Sequence, residues 1–185
     1  MPLRLVCKGV LHLIFNMTKK ILTDHEIDRA CFHCYTRIVR LYPFYATHIY
    51  LLHAYGLRIG ETLLTDGIEK TADGGLIITM PKTGYTRKIA PDEWTRKFNP
   101  EDLLIINKLG YCNKRAFERA IKECMPYRAL RCGDKGVNSH IFRHNVAKKL
   151  FNEFDNYLTV NAFIQEQNTE VVKNYVHSII YYCEK

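Results

Sequence analysis

The sequence predicts a mainly helical protein with a small antiparallel β-sheet, the α+β class. Apolar residues recur at helical spacing in several segments between residues 24 and 181. Two β-rich segments, residues 76–80 and 85–89, flank a Pro-Lys-Thr-Gly turn and predict one hairpin. The chain has 185 residues, 47% of them hydrophobic, so we expect one domain with a real core and exclude a disordered tail. Since no run of about 18 apolar residues occurs, we expect no membrane-spanning helix and no membrane partner.

The beginning of the chain differs from the rest. Residues 1–16 are apolar with a weakly basic start, but Lys8 and His12 interrupt the run and no small-residue cleavage site closes it. We interpret residues 1–19 as an N-terminal extension, and an upstream-start artefact is one explanation for it. Thr23 and Glu26 have the spacing of a capping box, so the first helix begins there.

The later elements follow from periodicity and from helix-capping residues, such as Asn113, the expected N-cap of a helix over residues 113–124. Gly56 either ends the second helix or lets another backbone approach closely. Residues 126–137 contain several basic residues and glycines, and we expect a basic loop there. Residues 58–64 predict a short helical turn. The predicted helices span residues 24–40, 44–55, 101–109, 113–124, 138 or 139 to 154, 157–166 and 168–181.

The charge balance is strongly basic. Lys and Arg number 27 against 19 Asp and Glu, which gives a formal net charge of +8. This surplus favours a polyanionic partner, most often nucleic acid, although ribosomal and membrane-surface proteins share it.

The seven cysteines are irregularly spaced. Only Cys31 and Cys34 have the spacing of metal ligands, and no second pair follows them. We therefore expect reduced, mostly buried thiols, no metal site and a reducing compartment.

The helix predicted from residue 139 carries a basic cluster near its N-terminus. His140, Arg143 and His144 are three and four positions apart and share a face, where the helix dipole favours an anion. This face is either a solvated basic surface or a phosphate site, and one helix does not decide between them. The apolar stripe of the same helix consists of Phe142, Val146, Leu150 and Phe154.

Three further segments carry candidate functional residues. Arg58 lies among apolar residues, so it must be paired or hold a ligand, and Glu61 is the obvious local partner. Lys82 lies at the hairpin tip, where it is either solvated or able to reach into a groove and donate a proton. Tyr175 lies in a Tyr-x-His context, and other tyrosines compete with it for a role: Tyr157, Tyr181 and Tyr182.

Together, these segments resemble the catalytic domain of the tyrosine recombinases, the phage-integrase family. Residues 56–61 (GLRIGE) match the segment of the first family arginine, and Lys82 matches the hairpin lysine. Residues 140–144 (HIFRH) match the His-x-x-Arg-His signature, and Tyr175 matches the nucleophile. Order and spacing both fit. The resemblance covers roughly residues 20–182, and it implies the DNA breaking-rejoining fold for a catalytic domain over residues 20–185.

The resemblance also implies an activity: a site-specific DNA recombinase or integrase of a phage, virus or mobile element. Tyr175 would attack the scissile phosphate and form a 3′-phosphotyrosine. Arg58 and Arg143 would clamp the non-bridging oxygens, His140 would accept the tyrosine proton and Lys82 would protonate the departing 5′-oxygen. No metal or other cofactor is implied, and the covalent bond conserves free energy so that no ATP is needed.

Two departures from the family pattern bear on activity. Glu166 stands nine positions before Tyr175, where the family usually has His or Trp. A carboxylate beside a phosphate is repulsive unless it is protonated or paired, so either Gln165 or Gln167 takes over or the site is impaired. Only residues 1–19 precede the catalytic domain, where family members commonly carry a helical domain that closes around DNA. A minimal recombinase, a fragment and a chain that depends on a partner all fit this arrangement.

Further residues are assigned supporting and binding roles. We expect Glu61, His144 and Glu166 to support the site. We expect Arg87, Lys88 and Lys148 to contact DNA.

The resemblance implies partners, and alternatives to the leading function stay open. Double-stranded DNA, a homo-oligomer on DNA (a tetrameric synapse) and an accessory DNA-binding protein are the expected partners. The C-terminal segment either docks on a neighbouring protomer or folds back onto its own core. The expected location is the cytoplasm of a bacterium, or the nucleus or viral factory of a eukaryotic host. The alternatives are a type IB topoisomerase-like nicking-closing enzyme, a degenerate non-catalytic DNA-binding relative and a ribosomal-type basic module.

Overall fold

The computed structural model describes residues 20–63, 67–71, 75–79, 86–89, 112–126, 128–131, 135–136, 139–166 and 168–183. The first part of the chain forms β1 (Lys20–Ile21), α1 (Asp24–Leu41), a 3₁₀ turn (Pro43–Tyr45), α2 (Ala46–Tyr55), α3 (Ile59–Thr62), β2 (Ile68–Lys70), β3 (Leu76–Thr79) and β4 (Thr86–Ile89). The second part forms α4 (Lys114–Cys124), β5 (Arg128–Arg131), β6 (Lys135–Gly136), α5 (His140–Phe154), α6 (Tyr157–Ile164), α7 (Thr169–Val176) and β7 (Ile180–Cys183). The predicted N-terminal extension, the hairpin tip with Lys82 and the helix predicted over residues 101–109 lie outside the described residues.

Local capping signals correctly located the starts of two helices. The Thr23 hydroxyl accepts the backbone N–H of Glu26 at 3.2 Å, and the Glu26 carboxylate accepts the backbone N–H of Thr23 at 2.9 Å. This is the predicted capping box of α1. Asn113 caps α4 through the backbone N–H of Ala116 at 3.2 Å.

Helix α5 is central to the packing and contacts α1, α2, α6 and α7. Its residues Phe142, Val146 and Leu150 are buried as predicted. The prediction for Phe154 is wrong, because its side chain is 39% exposed where the helix ends at the edge of the core. No helix among the described residues is long and apolar enough to cross a membrane.

The antiparallel pairing of β3 with β4 confirms that the two predicted strands of the hairpin lie side by side. These strands pair antiparallel, with Thr79 opposite Thr86. A third strand, β2, completes this sheet in the order β2-β3-β4. The sequence does not predict β2, because a strand of three residues is too short to show a clear alternation of apolar and polar side chains.

A second sheet, of order β1-β7-β5-β6, corrects two predictions. Residues 126–137, expected to be a loop, contain β5 and β6, and the helix expected to reach residue 181 ends at Val176. Tyr181 lies opposite Ile21 in β1 and opposite Leu130 in β5, so β7 is paired on both edges. The C-terminal segment therefore folds back onto its own chain in this structure. Helical periodicity could not reveal this pairing, since the partner strands are far apart in sequence.

Candidate active site

Arg143 is the most deeply buried charged residue of the site, with no exposed surface. It lies in the first turn of α5. It donates to the carbonyl oxygen of Gly56 at 2.7 Å and to that of Ile164 at 2.5 Å. These carbonyls end α2 and α6, so the guanidinium joins three helices. The interpretation of this helix face as a solvated basic surface is wrong for Arg143 and for His144, which is 1% exposed.

The backbone at Gly56 allows this approach. Gly56 ends α2 with φ 59°, a left-handed conformation that favours glycine. A Cβ atom there would lie 3.2 Å from the Cβ of Val146 and 3.5 Å from the Cα of Arg143. Of the two predicted roles of Gly56, ending the helix is confirmed, whereas the tightest contact of such a Cβ would be with the Val146 side chain and not with another backbone.

Arg58 reaches the same point from the start of α3. Its Nη2 donates to both carboxylate oxygens of Glu166, at 2.7 and 2.6 Å. Glu61, the partner expected from sequence, accepts the backbone N–H of Arg58 at 2.6 Å and lies 3.6 Å from its Nη1. Glu61 therefore mainly fixes the backbone of Arg58, whereas Glu166 binds the guanidinium. The Arg58 side chain is 42% exposed.

Glu166 lies between the two arginines. Its Oε1 accepts from Nε and Nη2 of Arg143, at 3.0 and 2.6 Å, in addition to the contacts with Arg58. Its side chain is only 4% exposed, and its backbone N–H donates to the Asn161 side chain at 3.0 Å. A carboxylate at this position is expected to be paired or protonated if it lies beside a phosphate. In the structure, Glu166 is paired with both guanidiniums.

Tyr175, on α7, lies beside Arg143. The guanidinium carbon is 5.4 Å from the centre of the tyrosine ring, within the range of a cation–π contact. The His144 ring meets the same ring edge-to-face, with centres 4.9 Å apart. His144 also lies 2.6 Å from the Ser178 hydroxyl, which donates to the backbone carbonyl of Tyr175. His144 and Ser178 thus position the segment that carries Tyr175, and no sequence signal marked Ser178 for this role.

A cleft of about 570 Å³ opens next to Tyr175. Its lining includes His144, Lys173, His177 and Ser178. A molecule bound in this cleft could therefore contact the face of α7 that carries Tyr175.

The other predicted residues have different placements. His140 is the first residue of α5 and is exposed. Lys88, in β4, is exposed, and only the backbone of Arg87 is described. Lys148 is largely buried and pairs with Asp24 at 3.0 Å. Because Lys82 lies outside the described residues, its relation to the two arginines stays a prediction.

Four cysteines with described side chains belong to the core. Cys31, Cys34, Cys112 and Cys124 are buried, as expected, and none of the four forms a disulfide with another described residue. Burial raises the pKa of Cys31 well above its ordinary value. Among the described residues, no cluster of three or more His, Cys, Asp or Glu could hold a metal ion.

Comparison with known proteins adds a fold relationship. No protein-family model matches the chain. No curated protein matches it either. Two similar solved structures are of the XerH site-specific recombinase: a post-cleavage complex bound to palindromic difH substrate (TM-score 0.54, 16% identity) and a pre-cleavage complex bound to difH substrate (TM-score 0.52, 17% identity). The chain has the fold of a tyrosine-recombinase catalytic domain. Each match covers 84% of this chain and 49% of the XerH chain, so this chain spans about half the length of that recombinase.

Proposed function

We propose that this protein cleaves and rejoins DNA through a covalent 3′-phosphotyrosine bond at Tyr175. The main support is the convergence of Arg58 and Arg143 on one pair of anionic oxygens. Arginine donors form charge-assisted hydrogen bonds with both carboxylate and phosphate oxygens, so the same two guanidiniums could hold a phosphodiester. The ring of Tyr175 lies against one of these guanidiniums, next to the proposed phosphate position.

In the proposed step, the Tyr175 oxygen attacks the scissile phosphorus and the bond from phosphorus to the 5′-oxygen breaks. The tyrosine proton passes to His140, and the 5′-oxygen takes a proton from Lys82. Arg58 and Arg143 stabilise the charge that builds on the non-bridging oxygens. The 5′-hydroxyl of a second strand then reverses the attack and releases the tyrosine. The phosphotyrosine bond conserves the free energy of the phosphodiester, so this exchange of strands needs no ATP.

The proposal extends to partners. Double-stranded DNA is the substrate, in keeping with the net charge of +8 and the DNA-bound fold neighbours. Assembly of several copies on DNA and an origin in a phage, virus or mobile element belong to the same proposal. Since β7 is paired within its own chain on both edges, contacts between copies would use other surfaces or require β7 to unpair.

A covalent-trapping experiment tests the nucleophile. The protein is incubated with a library of nicked suicide duplexes of randomised sequence, and denaturant-resistant protein–DNA adducts are isolated and sequenced. We expect adducts with the unmodified protein and with Tyr181→Phe, the matched control, and none with Tyr175→Phe. An adduct that persists in Tyr175→Phe would assign the chemistry to another residue and refute the proposal.

One observation favours a second function, that of a non-catalytic DNA-binding protein. Glu166 fills the proposed phosphate position in the structure. Under this alternative, the library is bound with a salt-dependent affinity, but no variant forms an adduct, including variants in which Glu166 is neutral.

A further inference from the structure

The Glu166 carboxylate is held as a bound phosphate would be. Its two oxygens accept four hydrogen bonds of 2.6–3.0 Å from Arg58 and Arg143. The two arginines come from separate segments, 85 positions apart in the sequence, and both donate to Oε1 of the carboxylate. Guanidinium groups bind carboxylate and phosphate oxygens through similar charge-assisted hydrogen bonds, so the same donors suit the non-bridging oxygens of a phosphodiester.

This carboxylate and a phosphate exclude each other at the site. The two guanidinium charges are already balanced by two nearby carboxylates, those of Glu61 and Glu166. A phosphodiester approaching Arg58 and Arg143 would meet the negative charge of Glu166 a few ångströms away, in a place where Glu166 is 4% exposed and screening is weak. The anion can bind in full only when Glu166 withdraws.

The segment that carries Glu166 is tied to several elements. Gln165 ends α6 with φ 48°, a left-handed conformation that is unfavourable for this residue. Its side-chain amide donates to the backbone carbonyl of Lys88 in β4, and the Glu166 N–H donates to Asn161. The position of Glu166 is thereby linked to strand β4.

We infer that Glu166 is a displaceable internal anion that competes with the substrate phosphate for Arg58 and Arg143. In the absence of DNA, it neutralises the two arginines and keeps the site closed to other anions. A bound duplex would have to displace it before cleavage, so this residue sets the affinity and the onset of the reaction. The identity of the competing phosphate as DNA rests on the proposed function, whereas the competition for an anion does not.

Inorganic phosphate is a probe of this competition that does not require catalysis. Thermal unfolding is measured against phosphate concentration at constant ionic strength, and the shift in Tm gives the phosphate affinity. We expect Glu166→Gln to bind phosphate at least about tenfold more tightly than the unmodified protein, because the competing charge is gone. Glu170→Gln is the matched control, because this substitution also removes one negative charge. Glu170 lies on α7, is 74% exposed and pairs with Lys173. Its phosphate affinity should stay close to that of the unmodified protein.

Two further variants locate the effect and guard against misfolding. Adding Arg58→Gln to Glu166→Gln should abolish the gain, because Arg58 is one of the two anion ligands. Gln165→Asn removes the tether to β4 and places asparagine, which tolerates the left-handed conformation, at φ 48°. It should raise phosphate affinity roughly threefold without changing the charge. Equal phosphate affinities for the unmodified protein, Glu166→Gln and Gln165→Asn would overturn the inference.

The suicide-duplex library separates this inference from the proposed function. A gain in phosphate affinity with more adduct in Glu166→Gln supports both. A gain in phosphate affinity with no adduct in any variant supports the internal anion and refutes the cleavage reaction. Adduct formation by the unmodified protein together with unchanged phosphate affinity in Glu166→Gln would refute the internal anion and leave the cleavage reaction standing.

Discussion

Replacing either arginine by glutamine is expected to affect the stability of the protein very differently. Both substitutions remove one guanidinium from Glu166. Arg143 has no exposed surface, whereas the Arg58 side chain is 42% exposed. The two arginines have the same role in the proposed reaction. A difference between the two variants in the free energy of unfolding therefore reports the difference in burial of the two side chains.

The magnitude follows from the groups left without partners. In Arg143→Gln, the buried Glu166 carboxylate keeps Arg58 but loses its fully buried partner, which should cost an amount at the low end of about 3–5 kcal/mol. The shorter glutamine cannot reach both the Gly56 and the Ile164 carbonyls, and an unsatisfied buried carbonyl costs about 1–3 kcal/mol. We expect a loss of about 5 kcal/mol, against a total stability of about 5–15 kcal/mol for a typical domain. In Arg58→Gln, Glu166 keeps Arg143, and the loss should be about 1 kcal/mol or less.

Urea denaturation followed by far-ultraviolet circular dichroism measures this difference. The midpoint should fall much further for Arg143→Gln than for Arg58→Gln, with little change in slope. The double variant Arg143→Gln with Glu166→Gln should lose less stability than the sum of the two single variants, because the two side chains bind each other directly and each single variant leaves the other without that partner. Equal midpoints for Arg58→Gln and Arg143→Gln would refute the reasoning from burial.

Two other changes test the packing around the site. Gly56→Ala should lower stability by about 1–2 kcal/mol, because alanine is strained at φ 59° and its Cβ would crowd Val146; an unchanged Tm in thermal denaturation would contradict this. Burial, aided by Lys149, lowers the pKa of His53 from its ordinary value to about 4, so the unfolded chain binds this proton more readily. The resulting stability is fully present above about pH 6.5 and is lost as the pH falls towards 4, by about 3 kcal/mol at most. His53→Phe should flatten this part of the pH dependence in urea titrations, and a slope unchanged from that of the unmodified protein would argue against His53 as its source.

Elements with local signals could be predicted from the sequence. The capping box of Thr23 and Glu26 and the cap at Asn113 are interactions within three residues, so their spacing alone indicates them. The β3–β4 pairing is likewise local, since only six residues of sequence separate the two strands. These elements lie close to their predicted bounds.

The second sheet could not be predicted in this way. Tyr181 pairs with Ile21 and Leu130, and nothing in the three short segments indicates which strands meet. For this reason, the helix predicted over residues 168–181 wrongly includes the first residues of β7. The competing preference of Ile180 and Tyr181 for strands takes effect only when β1 and β5 supply hydrogen-bond partners.

The family resemblance indicates the members of the candidate site but not their arrangement. Arg58, Arg143 and Tyr175 match motifs of the family, and Glu166 is a departure from the family pattern that places an unfavourable charge beside a phosphate. Its actual contacts span 108 positions to Arg58 and 23 to Arg143, and they depend on the left-handed backbone at Gln165. Contacts between residues so far apart in the sequence cannot be predicted from local sequence patterns.

The position of Glu166 links stability to function at this site. A fully buried Arg143 cannot remain uncompensated in a protein without DNA, because the desolvation cost of an unpaired guanidinium is large. An uncharged or cationic residue at position 166 would leave that compensation to solvent anions or to the substrate itself. Glu166 supplies it from within the chain, so the DNA-free protein gains stability while its affinity for phosphate falls. A variant that binds phosphate more tightly should for this reason be less stable in phosphate-free buffer, and Glu166→Gln should show both changes together.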